Sequence, residues 1–457
     1  MDITISQKLL EQTLKTKKGK DMKILMVLFL TLQGVLMANS ALPKYYEKTL
    51  KNGLKVVAIP MDNGSNVITT DIFYNVGSRD EKMGKSGIAH MLEHLNFKST
   101  KNLKAGEFDE IVKGFGGVNN ASTGFDYTHY YIKSSSKNLD KSLELYSDLM
   151  ENLTLKDKEF QPERDVVAEE RRWRTDNNPM GYLYFKLFNN TFTYHPYHWT
   201  PIGFMNDIQN WSIEDIRDFH KTYYTPSNAI IVVAGDIEKE KVFKTAKKYF
   251  SKIKNTTESK KTEKFYMYEP QQDGAKRVIV HKDSQVEMLA INFHIPNYLH
   301  EDQVALSALS ELLSAGKSSR LNELLIDKKQ MVNTIYAYNM ELKDPGVYLF
   351  LAVCNPGVKA EDVEKEIWSE IKRIQEGDVK KEELSKIKKN TKSDFIFSLE
   401  SSSSVASLYG SYMSRGDISP LMSYEENINK LKTKDIVEVA KKYLVPETST
   451  TVILRKK

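Results

Sequence analysis

Two early runs, LKVVAIPM from Leu54 and VITTDIFYNV from Val67, are rich in β-branched residues and predict strands. The segment SGIAHMLEHLNFKST, Ser86 to Thr100, reads as a helix. A glycine-rich turn, GFGGVNN, and a strand, THYYIKS from Thr128, come next. Two or more helices precede a closing strand, AIIVVAGD from Ala229. Further on, EDVEKEIWSEIKRIQEG and KKEELSKIKKNTKSDFIFSL carry apolar residues at i, i+3 and i+4, so both predict amphipathic helices. Ser401 to Ser404 reads as a capping loop. Strands alternate with long helices and few parallel crossovers are needed. The expected class is α+β, with mostly antiparallel sheets covered by helices.

The pattern repeats. DIRDFHKTYYTPSNAIIVVAGD from Asp215 superposes without a gap on DIVEVAKKYLVPETSTTVILRK from Asp435. Tyr223 meets Tyr443, Pro226 meets Pro446 and Val232 meets Val452. AHMLEHLNFKST from Ala89 likewise corresponds to ALSELLSAGKSS from Ala308, and the strands before them correspond as well. Two similar domains are therefore expected, residues 41–255 and 256–457, joined near the Lys/Thr/Glu-rich connector SKIKNTTESKKTEK from Ser251.

Composition narrows the classes. The chain has 457 residues, 40% hydrophobic and 28% charged, which is globular. The net charge of +5 comes from 66 basic and 61 acidic residues, so no nucleic-acid footprint stands out. Cys354 is the single cysteine, which excludes an intramolecular disulfide and a cysteine-based zinc site. Residues 1–40 read as an N-terminal extension and secretory signal peptide. Lys20 and Lys23 flank the apolar run Ile24 to Met37, and small residues follow up to a cut after Ser40. A buried or anchoring N-terminal helix is the alternative. The signal reading places the mature protein in a bacterial periplasm or outside the cell, with Met22 a second candidate start. No other segment is apolar enough to span a membrane.

Histidine is scarce, 9 in the chain, yet His90 and His94 lie four apart with Glu93 between them. On a helix, i and i+4 share a face, so both imidazoles can aim at one point with the carboxylate beside it. Two imidazoles make half a zinc site, and an adjacent carboxylate can take a proton from a water on the metal. Two histidines on a helix surface are the plain alternative. A third ligand is needed, and QPERDVVAEERRWRTDNNP, from Gln161, offers one. Pro162 suits a first helical turn, and Asp176 to Pro179 stops the helix. Glu163 and Glu170 are seven apart on one face, which Val166 and Val167 should turn toward the core, while Glu169, Arg171, Arg172 and Arg174 can face solvent. A salt-bridged surface helix satisfies the same spacing.

These motifs together resemble the pitrilysin/insulinase/mitochondrial-processing-peptidase family (M16) of zinc metallopeptidases, in its half-size bacterial form. The match comprises His90-Met91-Leu92-Glu93-His94, the later Glu163-Arg164, Val167 and Glu170, and GGVNNASTGFDYTHYY from Gly116. The resemblance covers most of the mature chain. It implies the LuxS/MPP-like metallohydrolase fold in both domains, the second a degenerate repeat without ligands. It also implies one Zn2+ per chain, bound by His90, His94 and Glu170, with Glu93 as general base and Glu163 as a supporting carboxylate. Asn120, Ala121 and Ser122 would form an edge strand that pairs with a peptide substrate; a turn at Asn120 is the alternative. Asp126 and Thr128 read as structural. The implied activity is endopeptidase cleavage of peptides or unfolded polypeptides. A non-catalytic peptide-binding or scaffolding subunit is the competing class.

The chain departs from the family in its second half. Leu309, Leu312 and Leu313 stand where the repeat predicts His90, Glu93 and His94. The family's arginine and tyrosine positions fall on Leu325 or Ile326 and on Val332 or Asn333, while Arg320 and Tyr336 have the wrong spacing. The expectation is a heterodimer with a homologous subunit that carries the Arg/Tyr pair, with a homodimer second.

Overall fold

The computed structural model describes residues 41–256 and 268–457. The expected signal peptide and most of the connector lie outside the described residues. Lys44–Lys457 forms one compact unit.

The first half runs β1 (Tyr46–Thr49), β2 (Lys55–Pro60), β3 (Val67–Tyr74), α1 (Ile88–Asn96), α2 (Glu107–Gly114), β4 (Val118–Thr123), β5 (Thr128–Ser135), α3 (Leu139–Asn152), α4 (Asp157–Arg171), α5 (Pro179–Thr191), α6 (Met205–Asn210), α7 (Ile213–Tyr223), β6 (Ala229–Gly235) and α8 (Lys239–Phe250). The second runs β7 (Lys276–Lys282), β8 (Met288–His294), α9 (Gln303–Ser314), β9 (Val332–Met340), β10 (Val347–Cys354), α10 (Ala360–Gln375), α11 (Lys381–Ser398), α12 (Ser402–Arg415), α13 (Ser419–Met422), α14 (Tyr424–Lys430), α15 (Thr433–Tyr443) and β11 (Ser449–Lys456).

Each half builds one sheet, ordered β1-β2-β6-β3-β5-β4 and β7-β11-β8-β10-β9. Apart from the extra β1, the two orders are the same. β2 with β6 and β7 with β11 are parallel, and the other pairs are antiparallel. The α+β class and the duplication hold. α7 and α15 end in matching proline turns, Pro226–Asn228 and Pro446–Thr448, before the closing strands. Ser401 is the N-cap of α12 and accepts from the Ser404 amide, while Ser402 to Ser404 form its first turn.

One face of each sheet packs on its own helices. In the first half Ile68, Ile72, Ile231 and Val233 share one buried cluster with Met91, Leu92 and Leu95 of α1. The other face is covered by exchange. α5, from the first half, lies on β8 and β11, where Leu183, Leu187 and Phe188 pack against Ala290, Leu349 and Val452. α12, from the second half, lies on β3 and β6, with Ser402 Oγ 2.8 Å from Thr69 Oγ1. Neither half closes its core alone, which explains why β6 is buried along its whole length.

Candidate metal centre

Helix α1 buries Ile88, Met91, Leu92 and Leu95, which share one face at helical spacing. That packing turns His90, Glu93 and His94 away from the core. The start of α1 is held from outside. Gly87, at φ 85°, occupies the left-handed region, and a Cβ there would meet the Ile202 carbonyl oxygen at 2.5 Å. The buried Glu81 carboxylate accepts from Gly87 N, Ala89 N and Trp199 Nε1, each at 2.8 Å. It satisfies amides that no side chain of the helix caps. Burial pushes the Glu81 pKa up, against the pull of these donors.

The partner helix is α4. Its Glu170 Oε2 lies 3.3 Å from His94 Nε2 and 3.7 Å from His90 Nε2. Among the described residues, these three form the cluster able to hold a metal ion. Tetrahedral zinc with bonds of about 2.0–2.1 Å sets its ligand atoms about 3.3 Å apart, so the donor set and spacing fit. His94 Nδ1 donates to Glu163 Oε1 at 2.8 Å, which leaves Nε2 for the metal side. Lys98 Nζ pairs with Glu163 Oε2 at 2.6 Å. Burial opposes charge on His94, but the hydrogen bonds to Glu163 and Glu170 raise its pKa to about 9, so the place attracts a cation. His90 goes the other way, to about 4, through burial and then the charge of His94. Its Nδ1 is buried without a hydrogen-bond partner among the described residues. Glu93 sits beside the cluster, with Oε2 accepting from Thr123 Oγ1 at 2.5 Å. Burial raises its pKa and the Thr123 bond tempers the rise.

β4 is the edge strand, paired through Asn120, Ala121 and Ser122 with Tyr131, Tyr130 and His129 of β5. Asn120 therefore belongs to a strand and not to the turn. Its Thr123 end reaches Glu93. Asp126 is buried and binds Tyr197 Oη and the Lys343 amide, and Thr128 Oγ1 donates to the Val76 carbonyl.

Three local expectations for α4 need correction. The helix begins at Asp157, so Pro162 lies inside it instead of in the first turn. Val167 is buried but Val166 is exposed, because each helical step turns about 100° and the buried stripe runs through Phe160, Val167 and Ala168. Arg171 does not face solvent. It is buried, pairs with Asp176 at 3.2 Å and stacks 4.0 Å from the Phe185 ring. In the second half, Leu325 is fully buried, and Arg320 is bound by Glu370 and Glu383. The roles of Glu81 and Lys98 had no signal in the sequence, since each depends on a contact between distant segments. Thr123 stood in the quoted motif without a role, and the i,i+4 spacing of Glu170 and Arg174 could have shown their pairing.

Residues 56–198 match the family model described as Insulinase (Peptidase family M16), and residues 210–391 match Peptidase M16 inactive domain. A Helicobacter pylori relative named zinc protease PqqE is 55% identical over 94% of this chain and 97% of its own length. The chain belongs to peptidase family M16. A crystal structure of a protease from Helicobacter pylori superposes with a TM-score of 0.89 at 55% identity, over 91% of this chain and 100% of that one. A peptidase M16 inactive domain from Pseudomonas fluorescens shares the M16 fold at 15% identity and a TM-score of 0.80, over 91% of this chain and 98% of that one. Among the described residues of this M16 chain, no helix is long and apolar enough to cross a membrane.

Proposed function

We propose that this chain is a zinc-dependent endopeptidase acting on peptides or unfolded polypeptides. The observation that carries the reading is the convergence of His90 Nε2, His94 Nε2 and Glu170 Oε2, with Glu93 alongside. These three residues would hold one Zn2+ per chain. Bound there, zinc lowers the pKa of a water toward about 7 and polarises a substrate carbonyl. Glu93 takes the proton from the attacking water and returns it to the leaving amine. Thr123 fixes the carboxylate for it. Glu163 holds the His94 ring in one orientation and tautomer. An extended peptide adds to the free edge of β4 along Asn120, Ala121 and Ser122.

Residues 41–255 act as the zinc-binding half and residues 256–457 as its degenerate repeat. Arg320 is committed to Glu370 and Glu383, which supports completion of the site by a homologous partner that carries an Arg/Tyr pair, a heterodimer before a homodimer. Residues 1–40 act as a signal peptide for the periplasm or for secretion. Metal analysis and peptide cleavage with wild type and Glu93→Gln test the enzyme reading. Zinc retained with cleavage lost supports it, whereas undiminished cleavage by the variant refutes Glu93 as base. Affinity purification of the chain from its own organism tests the partner.

A further inference from the structure

The two oxygens of Glu170 are used differently. Oε2 faces the histidine nitrogens, while Oε1 pairs with Arg174 Nε at 2.8 Å. A carboxylate free to turn about its last torsion can offer both oxygens to a divalent ion. That would fill the position a catalytic zinc site keeps open for water or substrate. We propose that Arg174 is a positioning residue that holds Oε1 away, so that Glu170 offers one oxygen and the fourth position stays open. This inference rests on the zinc reading above.

Arg174 is itself held by a built device. α4 does not run straight into a loop: Arg172–Asp176 continues it as a wide π-helical turn, which carries Arg174. Three contacts anchor that turn. Arg171, stacked behind it on Phe185, pairs with Asp176. Lys282 Nζ, from the second half, donates to the Asp176 carbonyl at 2.5 Å. The Arg174 carbonyl presses on Gly181 of α5, where a Cβ would stand 1.9 Å from the oxygen. The Arg174 side chain is 62% exposed, so as a stabilising pair with Glu170 it counts for little. Its consequence is geometric, and it ties the metal ligand to the helix that crosses onto the other sheet.

The test uses the full chain as wild type, Arg174→Ala, Arg174→Lys and Gly181→Ala, loaded with Co2+ for visible spectra and with Zn2+ for kinetics. Wild type should show the intense bands of four-coordinate Co2+. In Arg174→Ala the bands should weaken toward those of a higher coordination number. Its kcat should fall about 10-fold at unchanged KM and unchanged melting temperature. Arg174→Lys should recover part of both readouts. Gly181→Ala, with Arg174 present, should shift the spectrum in the same direction. An Arg174→Ala spectrum identical to that of a metal-loaded wild type overturns the positioning role and leaves the zinc reading intact. A wild type that binds neither metal overturns both.

Discussion

Helices α1 and α9 hold equivalent places under sheets of the same strand order, and they have been used for opposite ends. α9 puts Leu309, Leu312 and Leu313 at 0%, 4% and 0% exposure, inside the second core. α1 shows the same order of buried and half-buried positions two residues out of the expected register, so these leucines match Leu92, Leu95 and Asn96. Half-buried Ser307, Ser310 and Glu311 stand where α1 carries half-buried His90, Glu93 and His94. His90 Nδ1 has no hydrogen-bond partner among the described residues. Half-burial desolvates polar groups without fully satisfying them, which costs stability and shifts pKa values. The second half carries no imidazole on that face: Ser307 accepts from Asn339 Nδ2 at 3.0 Å and Ser310 donates to the Leu306 carbonyl at 3.3 Å. One scaffold accepts both because the other face of each helix, Met91, Leu92 and Leu95 or Ala308, Leu309 and Leu312, carries the core contacts. The candidate site lies on the face of the helix that the core does not use.

The comparison can be broken in four ways. The largest effect is expected at Glu93. Glu93→Gln should lower peptide cleavage about 100- to 10,000-fold with zinc retained in metal analysis. Next comes the counterpart helix. Leu313→Ala should cost about 2–5 kcal/mol in urea unfolding. His94→Ala, in the metal-free protein, should cost clearly less. Equal losses would mean that the two helices are not specialised as described. Third, Glu163→Gln should weaken zinc binding about 10- to 100-fold in chelator competition while leaving metal-free stability nearly unchanged.

The smallest effect concerns the joint between the halves. Asp344, from the second half, takes Arg79 Nε at 2.5 Å and His195 Nε2 at 2.9 Å from the first. Burial opposes its charge, but the hydrogen bonds from His195 and Arg79 hold its pKa at about 2, below its ordinary 3.8. A depressed carboxylate stabilises the fold above its unfolded pKa and loses that contribution as the pH falls through the folded one. At about 1.4 kcal/mol per pKa unit, Asp344→Asn should cost about 2 kcal/mol at pH 7. The deficit should shrink between pH 4 and pH 2 in paired thermal melts. A deficit independent of pH would show that the side chain acts through packing alone.

Much of the site was legible before any coordinates. The four-residue spacing of His90 and His94 and the seven-residue spacing of Glu163 and Glu170 are properties of a helix, and near neighbours in the chain set them. The strand runs and the proline turns at Pro226 and Pro446 were legible for the same reason. Adjacent positions misled where helical phase decides by a single step, as at Val166 beside Val167. A charge cluster misled at Arg171, because nothing in RRWR tells which guanidinium finds an acid and an aromatic ring.

What the sequence by itself determined is the inventory: the element order, the duplication and the candidate ligand residues. These follow from local periodicity, which needs no knowledge of what lies across the core. Only the tertiary structure decided that α5 and α12 change places between the sheets, that Glu81 from an upstream loop caps α1, and that Thr123 meets Glu93. Each of these joins residues from separate elements, and the reason is physical. An uncovered sheet face or an unsatisfied amide accepts any suitable partner that the folded chain brings to it, and no pattern of near neighbours names that partner in advance.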